Sequence, residues 1–215
     1  MRLLLARHGQ SRANVEGVLQ GRSPGELTAL GRAQAAALAA ALAGTDVVRI
    51  VSSDLRRAVD TARPIAESVG IALEHDTILQ EWHVGEFDGA FASDLERAVR
   101  ASALPPDEFR PTGGESRRDL HARVARIAST LVHDVVRSGT GLLVSHGDVL
   151  RALVSQLLVG DARLAPRIEL ANASLTTLIR RGSSWDLARL NDTSHLDALD
   201  PQAVGPTASE QEVRG

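Results

Sequence analysis

The chain contains no cysteine among its 215 residues, which excludes disulfides, thiolate metal sites and a cysteine nucleophile. It contains no lysine either. All 24 strong cations are arginine, so arginine is the only strong side-chain ligand available to an anion. The start lacks the charged residues, apolar stretch and small-residue cleavage site of a secretory leader, and no apolar run approaches membrane-spanning length. Against the arginines stand 27 acidic residues, giving a net charge of −3. Neither a nucleic acid nor an anionic membrane is therefore expected as a partner. A single cytoplasmic domain with one good-sized core is the expectation, with a homodimer left open.

What is present alternates between two periodicities. Residues 2–6 (RLLLA), 47–51 (VVRIV), 71–75 (IALEH) and 141–145 (GLLVS) are short apolar or β-branched runs, as strands buried on both faces would be. Thr28 is placed to cap a helix stopped at Gly44, and Ser53 to cap one over 54–69 that ends at Gly70, with Pro64 inside it. Over 117–137, Leu120, Val124, Ile127, Leu131 and Val135 form the stripe of an amphipathic helix. A further helix over 148–159 stops at Gly160, and SLTTLIRR with SWDLARL predicts a hairpin across Gly182, Ser183 and Ser184. The pattern predicts an α/β fold: a doubly wound, mostly parallel sheet with helices on both faces and an antiparallel edge. Residues 1–195 form the expected domain. Within it the Pro- and Gly-containing stretch 82–114 is expected as an excursion over one end of the sheet, and residues 196–215 as a flexible tail.

Three of the strands end in chemically loaded residues: Arg7-His8-Gly9, then Ser52 to Arg57, then His146-Gly147. In a doubly wound sheet ligands bind beyond the carboxyl ends of the strands. Two histidines and at least two arginines should therefore converge on one rim, and the ligand they suit is a compact anion. Gly9 is expected to let the chain turn away without filling that space.

Four ordered blocks carry a resemblance. They are ARHGQSRANVEGVLQGRSPGELTALGRAQA from residue 6, SSDLRRAVDTA from 52, LQEWHVGEFDG from 79 and VSHGDVLRAL from 144. In order and spacing they resemble the histidine phosphatase superfamily, in its phosphoglycerate mutase-like branch. The likeness extends from Leu3 to about Asn191. Within the family, SSDLRRAVDTA, GGES at 113–116 and ANASLTTL at 171–178 look most like members that remove phosphate from glucosyl-3-phosphoglycerate. The resemblance implies a phosphatase that acts through a phosphohistidine, with no metal or other cofactor, on a small phosphomonoester. It implies Arg57 rather than Arg56 as the phosphate ligand of the second block, Glu81 as the proton donor of the third and His146 as the histidine of the fourth.

The chemistry of those residue types fits the same reaction. Phosphate monoesters resist hydrolysis, so a catalyst must position the group, offset its charge and help an alkoxide leave. Arg7 and Arg57 can hold the non-bridging oxygens, and they stay cationic. His8, kept neutral by neighbouring cations, can attack phosphorus, while His146 stabilises transition-state charge. Glu81 can protonate the leaving oxygen and then activate water. Asn14 and Gln20 can add neutral hydrogen bonds, and Gly21 and Gly147 belong to the expected substrate contacts. Trp82, His83, Phe87, Phe91 and Arg12 or Arg22 are expected to line the leaving-group side. Two alternatives stand: a phosphoglycerate mutase, disfavoured because only His83 is basic between Glu81 and Arg97, and an inactive phospho-ligand binding module, disfavoured because His8 and Glu81 are both present.

Overall fold

Strand β1 (Arg2–Arg7) is apolar on both faces, and both faces are covered. Because strand side chains alternate, Leu3 and Leu5 enter one hydrophobic layer and Leu4 and Ala6 the other. The computed structural model describes residues 1–163 and 168–199. Among them β1 joins β2 (Val47–Ser52), β3 (Leu73–His75), β4 (Thr140–Ser145), β5 (Leu175–Arg181) and β6 (Ser184–Asp192) in one sheet of order β3-β2-β4-β1-β5-β6. The first four strands run parallel, while β5 and β6 are antiparallel to their neighbours. The expected doubly wound, mostly parallel sheet with an antiparallel edge is the observed one.

Helices α2 (Ala29–Leu42) and α3 (Arg56–Val69) bury Leu38, Leu42, Ala62 and Ile65 against one face of the sheet. Helices α5 (Arg117–Arg126) and α7 (Gly147–Val159) bury Leu120, Val124, Leu150 and Leu153 against the other. The chain leaves β1 towards the first face and β4 towards the second, although the two strands are neighbours. That divergence opens a crevice between their carboxyl ends, the place where such sheets bind ligands. The pairing sets Arg7 opposite Ser145, and His8 N–H donates to Ser145 O at 3.0 Å.

Several local expectations are corrected. The helix expected from 54 begins at Arg56 with Leu55 as its cap, and the Ser53 hydroxyl accepts only Leu55 N–H, just before the helix, while also meeting His146. Ile71 stays out of β3: its N–H closes the end of α3 on Ala66 O at 3.1 Å, beside the left-handed Gly70. The amphipathic stripe over 117–137 is broken by a π-helical turn at Ile127–Leu131 and resumes as α6 (Val132–Val135). There the Thr130 and Ser129 hydroxyls donate to Arg126 O at 2.6 and 3.3 Å, competing for the carbonyl a regular helix would use. Two short helices break the loops, α1 (Arg12–Glu16), which the periodicity does not announce, and α4 (Ala92–Ala101) inside the 82–114 excursion. That excursion is fastened to the loop after α1, since Leu19 N–H donates to Ala90 O at 2.8 Å and Gly89 N–H to Leu19 O at 2.7 Å.

Packing, rather than turning, explains Gly9. A Cβ on it would lie 2.4 Å from Gly31 O in the first turns of α2, so it is the approach of that helix, not the ligand space, that forbids a side chain. Of the 196–215 segment expected as a tail, residues 200–215 lie outside the described residues. Leu196, within them, is only 1% exposed, so packed structure continues past 195. Among the described residues no helix is long and apolar enough to cross a membrane.

Candidate active site

His8 follows the last residue of β1 and His146 the last residue of β4, and both are buried with ring centroids 5.1 Å apart. His8 Nδ1 lies 2.7 Å from Gly9 O. A carbonyl only accepts, so Nδ1 carries the proton and Nε2 keeps its lone pair. Burial first, and then the Arg57 and Arg7 charges, hold this imidazole well below its ordinary pKa, so it is neutral at neutral pH. His146 is held low as well, by burial and then by Arg57, His8 and Arg7. Its Nε2 is 2.9 Å from Ser53 Oγ, which also accepts Leu55 N–H at 3.2 Å, and its buried Nδ1 has no partner.

The cations arrive from different elements. Arg57, in the first turn of α3, is 1% exposed, and its Nη1 and Nη2 donate to Ser23 O and Gly21 O at 3.1 and 2.7 Å. Arg7 Nη1 donates to Leu170 O at 2.6 Å. Both Nε atoms are buried without a partner. Burial lowers the pKa of both guanidiniums to about 10, for Arg7 with help from Arg151, which leaves them cationic at neutral pH. A fully buried arginine is costly, and its remaining donor capacity is the expected mark of an anion site. Arg56, the alternative in the second block, points outward and pairs with Glu26 and Asp60.

Glu81 lies beyond β3, and its carboxyl receives two main-chain donors, Trp82 N–H on Oε1 at 3.0 Å and Asp148 N–H on Oε2 at 3.4 Å. Burial, and then the nearby Asp148 charge, raise its pKa. Behind it Arg123 Nη1 donates to Ile78 O and Gln80 O at 2.9 and 2.6 Å, and its Nη2 to Glu81 O at 3.3 Å. Glu115 anchors Arg123 through both oxygens and also accepts from Arg22 Nη2 at 2.9 Å and His83 N–H at 3.1 Å. The acid therefore hangs from a buried ionic brace.

Of the remaining expected residues, Asn14 and Gln20 meet at Ser11, whose hydroxyl contacts Asn14 Oδ1 at 3.0 Å and Gln20 Oε1 at 2.9 Å. Asn14 Oδ1 also accepts from Asn172 Nδ2, which donates to His8 O as well, both at 3.1 Å. Gly21 has a left-handed φ of 47° and supplies the carbonyl that holds Arg57. Gly147 opens α7, where a Cβ would sit 3.6 Å from Arg7 Nε and from the Arg151 guanidinium. The expected lining is partly corrected. Trp82 is a core residue, 4% exposed, whose indole N–H donates to Glu115 O at 2.7 Å; Phe87 packs on Phe109; Phe91 is exposed; and Arg12 pairs with Glu16 on the surface. Arg22 does reach the site, with Nε 3.4 Å from Glu81 O.

The residues missed are those whose importance depends on distant partners. Ser53, Glu115, Asp148 and Asn172 all fall inside the quoted blocks but carried no role in the site, and Arg117, Arg123 and Arg151 were given none. Among the described residues no group of three or more histidine and carboxylate side chains is gathered as metal ligands would be.

An α/β sheet whose crevice presents a neutral histidine, a second histidine, two arginines with unpartnered Nε atoms and a carboxyl whose pKa is raised is built for phosphoryl transfer, and known proteins agree. The family model of the histidine phosphatase superfamily (branch 1) matches residues 3–193, and the chain belongs to that superfamily. The protein is a phosphatase, a phosphomonoester hydrolase of that family. Glucosyl-3-phosphoglycerate phosphatase of Mycobacterium tuberculosis is 37% identical over 188 residues, covering 82% of this chain and 84% of the relative. The probable phosphoglycerate mutase GpmB of Salmonella choleraesuis is 33% identical over 208 residues, 92% of this chain and 96% of the relative. The crystal structure of a putative alpha-ribazole-5'-P phosphatase from Escherichia coli superposes with a TM-score of 0.82 at 28% identity, covering 89% of this chain and 96% of that one.

Proposed function

We propose that the protein hydrolyses a small anionic phosphomonoester of the phosphorylated sugar-acid class, glucosyl-3-phosphoglycerate being the leading candidate, through a phosphohistidine on His8. The observation that carries this reading is the His8 Nδ1 contact with Gly9 O at 2.7 Å, which leaves Nε2 as a bare nucleophile between two arginines with unpartnered Nε atoms. In the first step Nε2 forms a bond to phosphorus as the bridging P–O bond breaks, and Glu81 gives its proton to the departing oxygen. Arg7, Arg57 and His146 Nδ1 hold the equatorial oxygens. In the second step the Glu81 carboxylate takes a proton from water, the water oxygen bonds to phosphorus, and the P–N bond breaks to release inorganic phosphate. Asn14, Gln20, Gly21 and Gly147 complete the phosphate cradle in this reading.

Charge supports an anionic leaving group. Arg22 and Arg123 share one carboxylate, Glu115, and Arg117 and Arg151 share another, Asp148, so each pair keeps positive charge that its partner does not cancel. The cations missing from the segment after Glu81 are thus supplied by a loop and two helices. The reading also places the enzyme in the cytoplasm with a soluble metabolite as its partner. A panel of phosphorylated metabolites ranked by kcat/KM, together with acid-labile labelling of the protein, tests it. Sugar-acid and sugar monoesters should lead, diesters should trail, and His8→Ala should abolish turnover and labelling together. Efficient diester cleavage, or label retained without His8, overturns it, while isomerised product without free phosphate would mark a mutase.

A further inference from the structure

We propose that Asp148 is a positioning residue for Glu81, one whose carboxylate keeps the neighbouring acid in its proton-donating form. The inference rests on the reading of Glu81 as the acid. Three residues close a ring on that carboxyl, Trp82, Arg117 and Asp148. Trp82 N–H donates to Glu81 Oε1 at 3.0 Å, and the Arg117 guanidinium lies 3.9 Å over the Trp82 ring. Arg117 Nη1 then donates to Asp148 Oδ1 at 3.0 Å, and Asp148 N–H returns to Glu81 Oε2 at 3.4 Å. From the next turn of α7, Arg151 Nη2 donates to the same Asp148 Oδ1 at 2.8 Å.

This arrangement sorts the two carboxyl groups. Asp148 receives two guanidiniums, which hold it ionised well below the usual carboxylate range although its burial works the other way. Glu81 receives only two main-chain N–H groups and no guanidinium, so burial and then the fixed Asp148 charge raise its pKa and favour its protonated form. The other charges facing Glu81 pull in the opposite direction: Arg57 from α3 and Arg151 from α7 favour its anion. Arg7 from β1 feels the Glu81 charge in turn. Arg22 and Arg123 reach only its main-chain carbonyl, and the Glu115 carboxylate is spent on those two arginines. His8, neutral, adds no charge. Among the described residues, Asp148 is thus the anion whose charge favours the acid against this cationic crowd.

Asp148→Asn is the decisive variant, since it preserves the main-chain N–H that Glu81 accepts and removes only the charge. The basic limb of kcat/KM for an alkyl or sugar phosphate should move to lower pH, with about a tenfold loss of rate for each unit of displacement. The first step with p-nitrophenyl phosphate, whose leaving group needs little protonation, should change less than about threefold. Arg117→Gln, which strips Asp148 of one balancing cation, should move the basic limb upward. An unmoved limb in Asp148→Asn, or equal losses for the two esters, overturns the inference. Should that variant not fold, the Arg117→Gln profile decides, and a limb that fails to rise overturns it. Glu81→Gln separates the two levels. Equal loss for both esters in that variant alone defeats the acid reading itself, whereas selective loss there without a limb shift in the Asp148 and Arg117 variants defeats only this inference.

Discussion

At the scale of single residues, two adjacent arginines in one sequence block have opposite fates. Successive residues on a helix are about 100° apart, so only one of Arg56 and Arg57 can face the crevice. Arg57 is the buried one, spent on two carbonyls of the 21–23 loop, while Arg56 lies on the surface with Glu26 and Asp60. Arg57→Ala should lower kcat/KM by about 10² to 10³, the usual loss for one preorganised donor to the reacting group, and Arg56→Ala by no more than about twofold. Steady-state kinetics of the two variants check this, and equal losses would place the phosphate elsewhere. Which arginine counts was legible only through the family likeness, since composition and periodicity treat the two alike.

At the scale of elements, the site depends on how close one helix comes to one loop. Gly31, in the first turns of α2, and Gly9 face each other, and a Cβ on Gly31 would lie 2.1 Å from Gln10 O. Backbone cannot yield to that, so the residues next to His8 must move. Gly31→Ala should destabilise the fold by about 1 to 3 kcal/mol, as overpacking does, and should also lower kcat, because His8 shares the displaced segment. Denaturant unfolding and turnover measured on the same preparation test this, and lost stability with unchanged kcat would show that the strand end is insulated from α2. The sequence suggested an open turn at Gly9 because a glycine after a histidine carries no sign of the helix it must accommodate. Elsewhere element boundaries drifted where a polar group found a better use. The Ser53 hydroxyl is shared between Leu55 N–H ahead of its helix and His146, and Ile71 left its strand to close α3.

For the molecule as a whole, the distribution of positive charge is the organising fact. The chain is slightly anionic, yet Arg7, Arg22, Arg57, Arg117, Arg123 and Arg151 are drawn to one end of the sheet. They supply from five different segments the field that phosphoryl transfer requires. Activity should therefore survive a strong chelator, and vanadate, which adopts the geometry of the transition state, should inhibit well below the substrate KM. Activity abolished by chelation and restored by a divalent ion would contradict this arginine-based account, as would indifference to vanadate.

The sequence by itself determined the class of fold, the six-strand alternation and the residues at the strand ends. Those features are local: period-two burial, a capping threonine and an apolar run ending in Arg-His are each written within a dozen residues. It also marked His8, Glu81, Arg57 and His146, because their blocks resemble a known family. Only the tertiary structure decided what surrounds them. Ser53 and His146 are 93 residues apart, as are Arg22 and Glu115, and Asp148 meets Glu81 across 67. Whether a charge on a helix faces water or a buried carboxyl is set by how that helix packs across the sheet, and one helix's periodicity carries no record of its partner's charges.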